Sequence, residues 1–272
     1  METSFLLAPV ASPLVQLRRA VASDALKLKR TAALRLTLAS GALPVLLSFL
    51  IYYFKGHLLL KPGQDPWSAY ILGSWQSAAG LLLPLFVVLL TSLLLNVENK
   101  ASGWKHLHAQ PVGRGAVFGS KLLLLLGLNL LAQLVYVALL LTSGWALGLL
   151  RPELHFHDHS IPFQGIGTLF YHTFIATLGL LAIQYVASLL WKSFVAPVAL
   201  GMGATITALV LMRWEHIDWI PYAAPLLSLG SAKKAQVTLQ VAGTLSNAEW
   251  ISLGWFAVVL LVGYTLLRWR QE

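Results

Sequence analysis

The residues best suited to bind a metal ion lie close together in the stretch ELHFHDHS. His155, His157 and His159 occupy alternate positions, so in an extended segment their imidazoles would point the same way, with Asp158 among them. Imidazole and carboxylate groups are ligands for Zn²⁺ or Cu²⁺. The outer loops hold no supporting cluster beyond His57 and the His216 region. We therefore favour three solvated histidines over a metal site, and we retain the metal site as an alternative.

A second candidate for chemistry is the stretch GRGAVFGSK, residues 113–121. A phosphate-binding loop requires G-x-x-x-x-G-K-[ST] between a strand and a helix. Here Ser120 precedes the lysine, Leu122 follows it, and the context is the start of an apolar helix. We reject a nucleotide site, and the sequence shows no other ATPase signature. The chain is therefore predicted not to be an enzyme, and it is predicted to have no catalytic residues and no cofactor.

The solvent in which these residues lie follows from composition. Hydrophobic residues make up 57% of the 272 residues and charged residues only 11%, whereas soluble domains are about 25% charged. The chain therefore predicts an all-α integral membrane protein. Six apolar stretches are candidate spans. They are about Leu36–Phe54, Tyr70–Leu95, Val117–Leu147, Ile166–Leu190, Phe194–Met212 and Ile251–Leu267.

The distribution of basic residues predicts the orientation of these spans. The net charge is +9, and most of the 19 Lys and Arg fall on one side if both termini are cytoplasmic. The positive-inside rule then gives N-in and C-in with six transmembrane helices. The basic balance is explained by topology, so we expect no nucleic-acid partner. The predicted location is the bacterial cytoplasmic (inner) membrane.

Residues 1–35 are predicted to form a separate N-terminal cytoplasmic region with an interfacial amphipathic helix. One helical stripe carries apolar side chains and the opposite face carries bases. The stripe consists of Leu14, Leu17, Val21, Ala25 and Leu28. A disordered basic tail is the alternative. Residues 36–272 then form the membrane domain, with an outer re-entrant loop at residues 213–250 that includes WIPYAAPLLSL.

Polar side chains inside the predicted spans are few and mild. They are Gln76, Asn129, Gln133, His172 and Gln184. Such residues are usually hydrogen-bond partners between helices, and we expect His172 to be wet because it lies towards the outer end of its span. No chain of Asp, Glu or Arg crosses the spans, as a proton- or ion-coupled transporter normally shows. The energy for any transport is therefore expected from outside the chain.

The remaining polar stretch, residues 96–115, connects the second and third spans on the predicted inner face. Glu98 to Gln110 is compatible with a short helix, and Pro111 ends it. An exposed tryptophan, Trp104, lies three residues before Leu107. Such a side chain needs either lipid headgroups or another protein to cover it.

The stretch ENKASGWKHLHAQPVGRGAVFGSK resembles the corresponding loop of ABC-2 type transporter permeases. That family has an acidic residue, a Gly-Thr/Ser-Trp-Lys-like step, a Pro-x-x-Arg turn and a lysine that opens the third helix. Glu98, Gly103–Lys105, Pro111–Arg114 and Lys121 match these features. The permeases of bacteriocin and lantibiotic self-protection exporters are the most similar branch. They also have a Pro-Tyr-x-x-Pro-like segment, which resembles Pro221–Pro225.

The resemblance implies the membrane-spanning permease subunit of an ATP-driven exporter, with residues 96–115 as the coupling loop. Expected partners are the lipid bilayer, a separate ABC ATPase subunit that binds ATP and Mg²⁺, and a second permease, identical or related. Trp104 and Leu107 would fill an apolar groove of the ATPase, and Glu98 would act as a hinge or a contact. The implied coupling residues are Glu98, Gly103, Trp104, Lys105, Leu107, Pro111 and Arg114. The alternatives are a structural or assembly membrane protein and a secondary transporter.

Overall fold

A computed structural model describes residues 12–29, 31–60, 63–100, 113–191, 193–234, 239–241 and 243–269. Helices dominate these residues. In chain order they are α1 (Pro13–Leu28), α2 (Ala32–Ala39), α3 (Ala42–Leu59), α4 (Pro66–Ser77), α5 (Leu83–Lys100), α6 (Arg114–Leu150), α7 (Phe163–Leu190), α8 (Val195–Val210), α9 (Ala224–Leu227) and α10 (Asn247–Trp269). A π-helical segment, Ala78–Leu82, joins α4 to α5. The all-α prediction therefore holds for the membrane part of the described chain.

A short antiparallel pair of strands is the exception to the all-α prediction. Strand β1 (Ala232–Lys234) pairs with β2 (Leu239–Val241) within the predicted outer loop. Leu239 is buried, and its backbone lies so close to Gly165 that a Cβ there would be 2.7 Å from the Leu239 carbonyl oxygen. The pair of strands therefore packs directly on the start of α7.

Five of the predicted spans are long and apolar enough to cross a membrane. They are Ala32–Leu59, Pro66–Asn96, Gly115–Leu150, Phe163–Leu190 and Asn247–Leu266. The sixth candidate, α8, has only 16 residues, which is about 24 Å of helix against about 30 Å of hydrocarbon. Six crossings with both termini inside therefore remain a prediction.

The two ends of the helical bundle differ in composition, and we name them by what they contain. The α1 end includes α1 and the start of α6, and its core is aliphatic, with Leu90, Leu125 and Leu180 fully buried. The cap end includes residues 151–162, which fold into two 3-10 turns, Pro152–Leu154 and Phe156–Asp158. Its core is aromatic: Trp67, Tyr70, Trp75 and Phe156 are buried together.

Helix α1 packs against the first turns of α6, and the buried face differs from the predicted stripe. Leu28 is buried and Leu17 and Val21 are half-buried, whereas Leu14 and Ala25 are exposed. The buried face is completed by Asp24, because α1 turns towards a charged partner on α6. The stripe prediction was therefore wrong for Leu14 and Ala25, and their placement against the membrane interface remains a prediction.

Candidate functional site

The predicted coupling loop lies mostly outside the described residues. Gly103, Trp104, Lys105, Leu107 and Pro111 belong to residues 101–112, and so does most of the short helix predicted for Glu98–Gln110. Glu98 lies near the end of α5, and Arg114 is the first residue of α6. The roles assigned to these seven residues therefore remain predictions. What the structure describes is the base of the two helices that flank the loop.

A buried ion pair holds α1 to this base. Lys121 Nζ lies 2.9 Å from Asp24 Oδ1, and the Ser120 hydroxyl donates to Asp24 Oδ2 at 2.9 Å. Asp24 and Lys121 are 7% and 4% exposed, so both charges are removed from solvent. Lys27 adds a weaker contact at 3.3 Å from the half-exposed surface of α1. Removing one member of such a pair leaves an uncompensated buried charge, which is strongly destabilising.

Two further contacts extend this junction towards the loop. The Gly113 backbone amide donates to Gln16 Oε1 at 2.8 Å, immediately after the undescribed residues. A Cβ at Gly119 would lie 3.2 Å from Leu17 Cδ1, so the two helices approach closely there. We name the set Gln16, Leu17, Asp24, Gly113, Gly119, Ser120 and Lys121 the α1–α6 clamp.

The sequence analysis missed Asp24, although a signal was present. Asp24 lies at the spacing 17, 21, 24, 28 with Leu17, Val21 and Leu28, which is the seam of a helix that packs on another helix. An acid on such a seam requires a basic partner. The partner is Lys121, the lysine of the rejected phosphate-loop stretch, and its ammonium group lies against Asp24.

A second buried acid–base pair lies at the cap end. His172 Nδ1 is 2.6 Å from Glu249 Oε1, and both side chains are fully buried. Glu249 Oε2 accepts hydrogen bonds from the Ser246 amide at 2.6 Å and the Ser246 hydroxyl at 2.7 Å. Ser246 and Glu249 thus form a capping box at the start of α10. The expectation that His172 is wet was wrong, because α10 packs along α7 and covers it.

The prediction that polar side chains in the spans join helices is confirmed for several residues. Asn129 Nδ2 donates to Thr177 Oγ1 at 3.0 Å, and Gln184 Nε2 donates to the Tyr222 hydroxyl at 2.6 Å. The latter bond anchors the buried part of the WIPYAAPLLSL segment to α7. Gln76 is exposed. Gln133 is buried, yet neither of its amide atoms has a hydrogen-bond partner among the described residues.

The comparison with protein families matches residues 20–208 to the family described as ABC-2 family transporter protein. The match covers more than half of the chain, from within α1 through α8, and so includes most of the α1–α6 clamp. The chain belongs to the ABC-2 transporter family. A comparison with curated protein sequences gives no match.

This ABC-2 family member is a multi-pass membrane protein, and its family is the membrane component of transporters that generally work with an ABC ATPase. The described part of the chain contains no group of three or more His, Cys, Asp or Glu side chains that could hold a metal ion. The finer assignment to bacteriocin and lantibiotic exporters is not tested by the family match.

The three outer histidines of the ABC-2 protein do not form the extended segment that a shared metal would need. They lie in the two 3-10 turns, and His155 adopts a left-handed backbone with φ of 56°. His155 Nδ1 lies 2.8 Å from Asp158 Oδ2, and the ring of His157 packs edge-on to Trp145. The argument from alternate positions of an extended strand was therefore wrong. The turns cap the bundle: the Trp67 indole N–H donates to the Phe156 carbonyl oxygen at 2.9 Å.

Arg151 fixes the same cap from outside. Its guanidinium donates to the Tyr53 carbonyl oxygen and to the Glu153 carboxylate. The hydrogen bond from Arg151 lowers the pKa of Glu153, with smaller contributions from its own backbone and nearby positive charge. Because Glu153 is exposed, this pair contributes little to stability.

Proposed function

We propose that this chain is the permease subunit of an ATP-driven exporter, which provides the membrane pathway and couples to a separate ATPase through residues 96–115. The observation that supports this most is the α1–α6 clamp. The clamp binds α1 to the first turns of the helix that directly follows the loop. A force applied to the loop would therefore move α1 and α6 together.

Helix α6 is suited to carry such a movement across the membrane. It runs without interruption for 37 residues, which is about 55 Å at 1.5 Å per residue. Its last turns contact the cap, where a Cβ at Gly148 would lie 2.7 Å from the His157 ring. One rigid element thus connects the α1 end with the cap end.

The proposal leaves ATP hydrolysis to the partner subunit, which would bind ATP and Mg²⁺. The two buried acid–base pairs of this chain are consumed in holding helices together. Two permeases, identical or related, would assemble with two ATPase subunits in the bacterial cytoplasmic membrane. The resemblance of Pro221–Pro225 supports an antimicrobial peptide, from which the producing cell protects itself, as the exported cargo.

The test is co-purification of the cognate ATPase with Trp104 variants in membranes. If Trp104 fills a central apolar pocket, Trp104→Ala should cost about 2 kcal/mol or more of docking, which is about 30-fold weaker association. Arg114→Ala, at the polar rim, should weaken docking less and mainly at low salt. Trp250→Ala is the matched control, because Trp250 is 62% exposed at the opposite, cap end.

Full retention of the ATPase by Trp104→Ala would show that the loop anchors the membrane surface and does not couple. Absence of any stoichiometric ATPase from the wild-type preparation would instead favour the assembly protein or the secondary transporter. Both outcomes are scored against equal amounts of inserted permease, so that a folding defect is not read as a docking defect.

A further inference from the structure

A cavity of about 440 Å³ lies between the first, second and third candidate spans. It falls within the size range of small-molecule sites. Its walls come from the α2–α3 junction, the end of α4, the π-helical segment, α6 and α7. The lining is mostly apolar and aromatic, and its described residues include no charged side chain. We name it the Gln133 cavity.

The polar groups in this cavity lack partners. Gln133 is 4% exposed and Tyr136 is 8% exposed. Neither Gln133 Nε2, Gln133 Oε1 nor the Tyr136 hydroxyl is hydrogen-bonded to any described residue. By contrast, the neighbouring Trp75 indole N–H is satisfied by Thr173 Oγ1 at 2.9 Å. Buried polar groups in proteins are almost always paired, so these three atoms indicate a missing partner.

Two irregularities of the helices border the same cavity. The first span is interrupted at Ser40 and Gly41, between α2 and α3, and the second changes to π-helix at Ala78–Leu82. The interruption lies very close to α6, because a Cβ at Gly41 would be 2.8 Å from Tyr136 Cα. Irregular backbone in a membrane is tolerated where it lines a cavity or is buried in protein, and π-turns are frequent at functional sites.

We propose that the Gln133 cavity binds a secondary amide carried on an apolar molecule. A glutamine side chain offers N–H donors and a carbonyl acceptor, and a secondary amide presents the complementary carbonyl and N–H. The Tyr136 hydroxyl supplies a second donor to the ligand carbonyl. The apolar lining suits alkyl groups on both sides of the amide, and the uncharged lining disfavours an ionised ligand.

Two sources present this chemistry: an apolar peptide segment and an N-acyl lipid. The probes are acetyl-leucyl-leucine methylamide and a short-chain ceramide, each compared with an isostere in which an ester oxygen replaces the amide N–H. The chain is reconstituted without ATPase in nanodiscs of ester-linked phosphatidylcholine and phosphatidylglycerol. Each probe competes with a diazirine-bearing amide, and mass spectrometry maps the labelled residues.

We expect at least one amide probe to compete about tenfold better than its ester, which corresponds to about 1.4 kcal/mol. Labelling should fall on the π-helical segment and on α6 around Gln133. The probe pair that shows the difference identifies the source. Gln133→Leu should abolish the preference for amide over ester, and Tyr136→Phe should weaken amide binding several-fold. Gln76→Leu, the exposed glutamine of α4, is the matched control and should change nothing.

Equal competition by amides and esters, a preference that survives Gln133→Leu, or no binding by either pair would overturn the proposal; the last would leave a cavity occupied by water only. Thermal unfolding of each variant is measured in parallel, and Tyr136→Phe carries the test if Gln133→Leu does not fold. Because no ATPase is present, failure here does not bear on the proposed coupling.

Discussion

The two ends of this ABC-2 protein each contain a buried acid–base pair, in different surroundings. At the α1 end, Asp24 and Lys121 join a helix that is otherwise largely exposed to the side of α6. At the cap end, His172 and Glu249 lie between α7 and α10, which pack along much of their length. The same chemistry therefore attaches a peripheral helix at one end and holds two spans together at the other.

Glycine spacing shows how much closer the helices approach around the cap-end pair. A Cβ at Gly179 would lie 2.8 Å from the Ser252 carbonyl oxygen, and one at Gly263 would lie 2.4 Å from Val186 Cγ2. Close approach through small residues is how helices associate in membranes, where lipid supplies no hydrophobic driving force. The cap-end pair thus lies inside a tight interface, so we expect its loss to affect folding, whereas loss of the α1-end pair should affect coupling.

The largest effect is expected at Glu249. Glu249→Leu leaves His172 buried without its acid and removes the capping box, and it should cost about 3–5 kcal/mol of unfolding free energy. The double variant with His172→Leu should recover most of the loss, because both polar partners are then gone. Unfolding in mixed micelles measures both. A loss below about 1 kcal/mol for the single variant would mean that the pair is not structural.

Asp24→Leu tests the other member of the comparison. Lys121 can extend its long side chain towards water, so we expect a smaller cost of about 2 kcal/mol, comparable to leaving a polar group unsatisfied. The bundle should still form, while trypsin cleavage at Arg18 and Arg19 accelerates and transport-linked ATP hydrolysis falls. Lys27→Met, on the half-exposed side of α1, is the control. Unchanged cleavage within α1 would contradict a role for the clamp.

Gly179→Ala probes the tight interface without touching a charge. The added methyl group must displace the α10 backbone, which costs about 1–3 kcal/mol, and better helix propensity returns about 1 kcal/mol. The net loss should be about 1 kcal/mol by thermal unfolding. Gly203→Ala has no neighbour within 4 Å of the new Cβ, so it should be neutral or stabilising. Equal behaviour of the two variants would remove the distinction drawn above.

The smallest effect is expected from pH at the cap surface. The hydrogen bond from Arg151 lowers the pKa of Glu153 in the folded chain. Its contribution to stability is therefore present above the unfolded pKa of glutamate and is lost as pH falls through the lowered folded pKa. Glu153→Gln should lower the melting temperature slightly at neutral pH, and the difference should vanish in acid. A difference that grows on acidification would reverse this sign.

Much of the architecture could be predicted from sequence because membrane crossing depends on local composition. A run of about 20 apolar residues needs no knowledge of its neighbours, and five such runs became long helices. The loop stretch around Glu98, Trp104 and Lys121 also carried the family resemblance that the match over residues 20–208 supports. Length alone, however, left α8 undecided, since its 16 residues fall short of a full crossing.

The tertiary structure alone decided which polar side chains meet. Asp24 and Lys121 are 97 residues apart and His172 and Glu249 are 77 residues apart in the chain, so no local pattern links them. Periodicity placed Leu14 and Ala25 on the buried face of α1, but packing selected the face that carries Asp24. The Gln133 cavity likewise exists only because an interrupted helix, a π-turn and α6 converge. Sequence thus determined the solvent and the spans, since these follow from local apolarity; long-range packing determined the clamp, the buried pairs and the cavity.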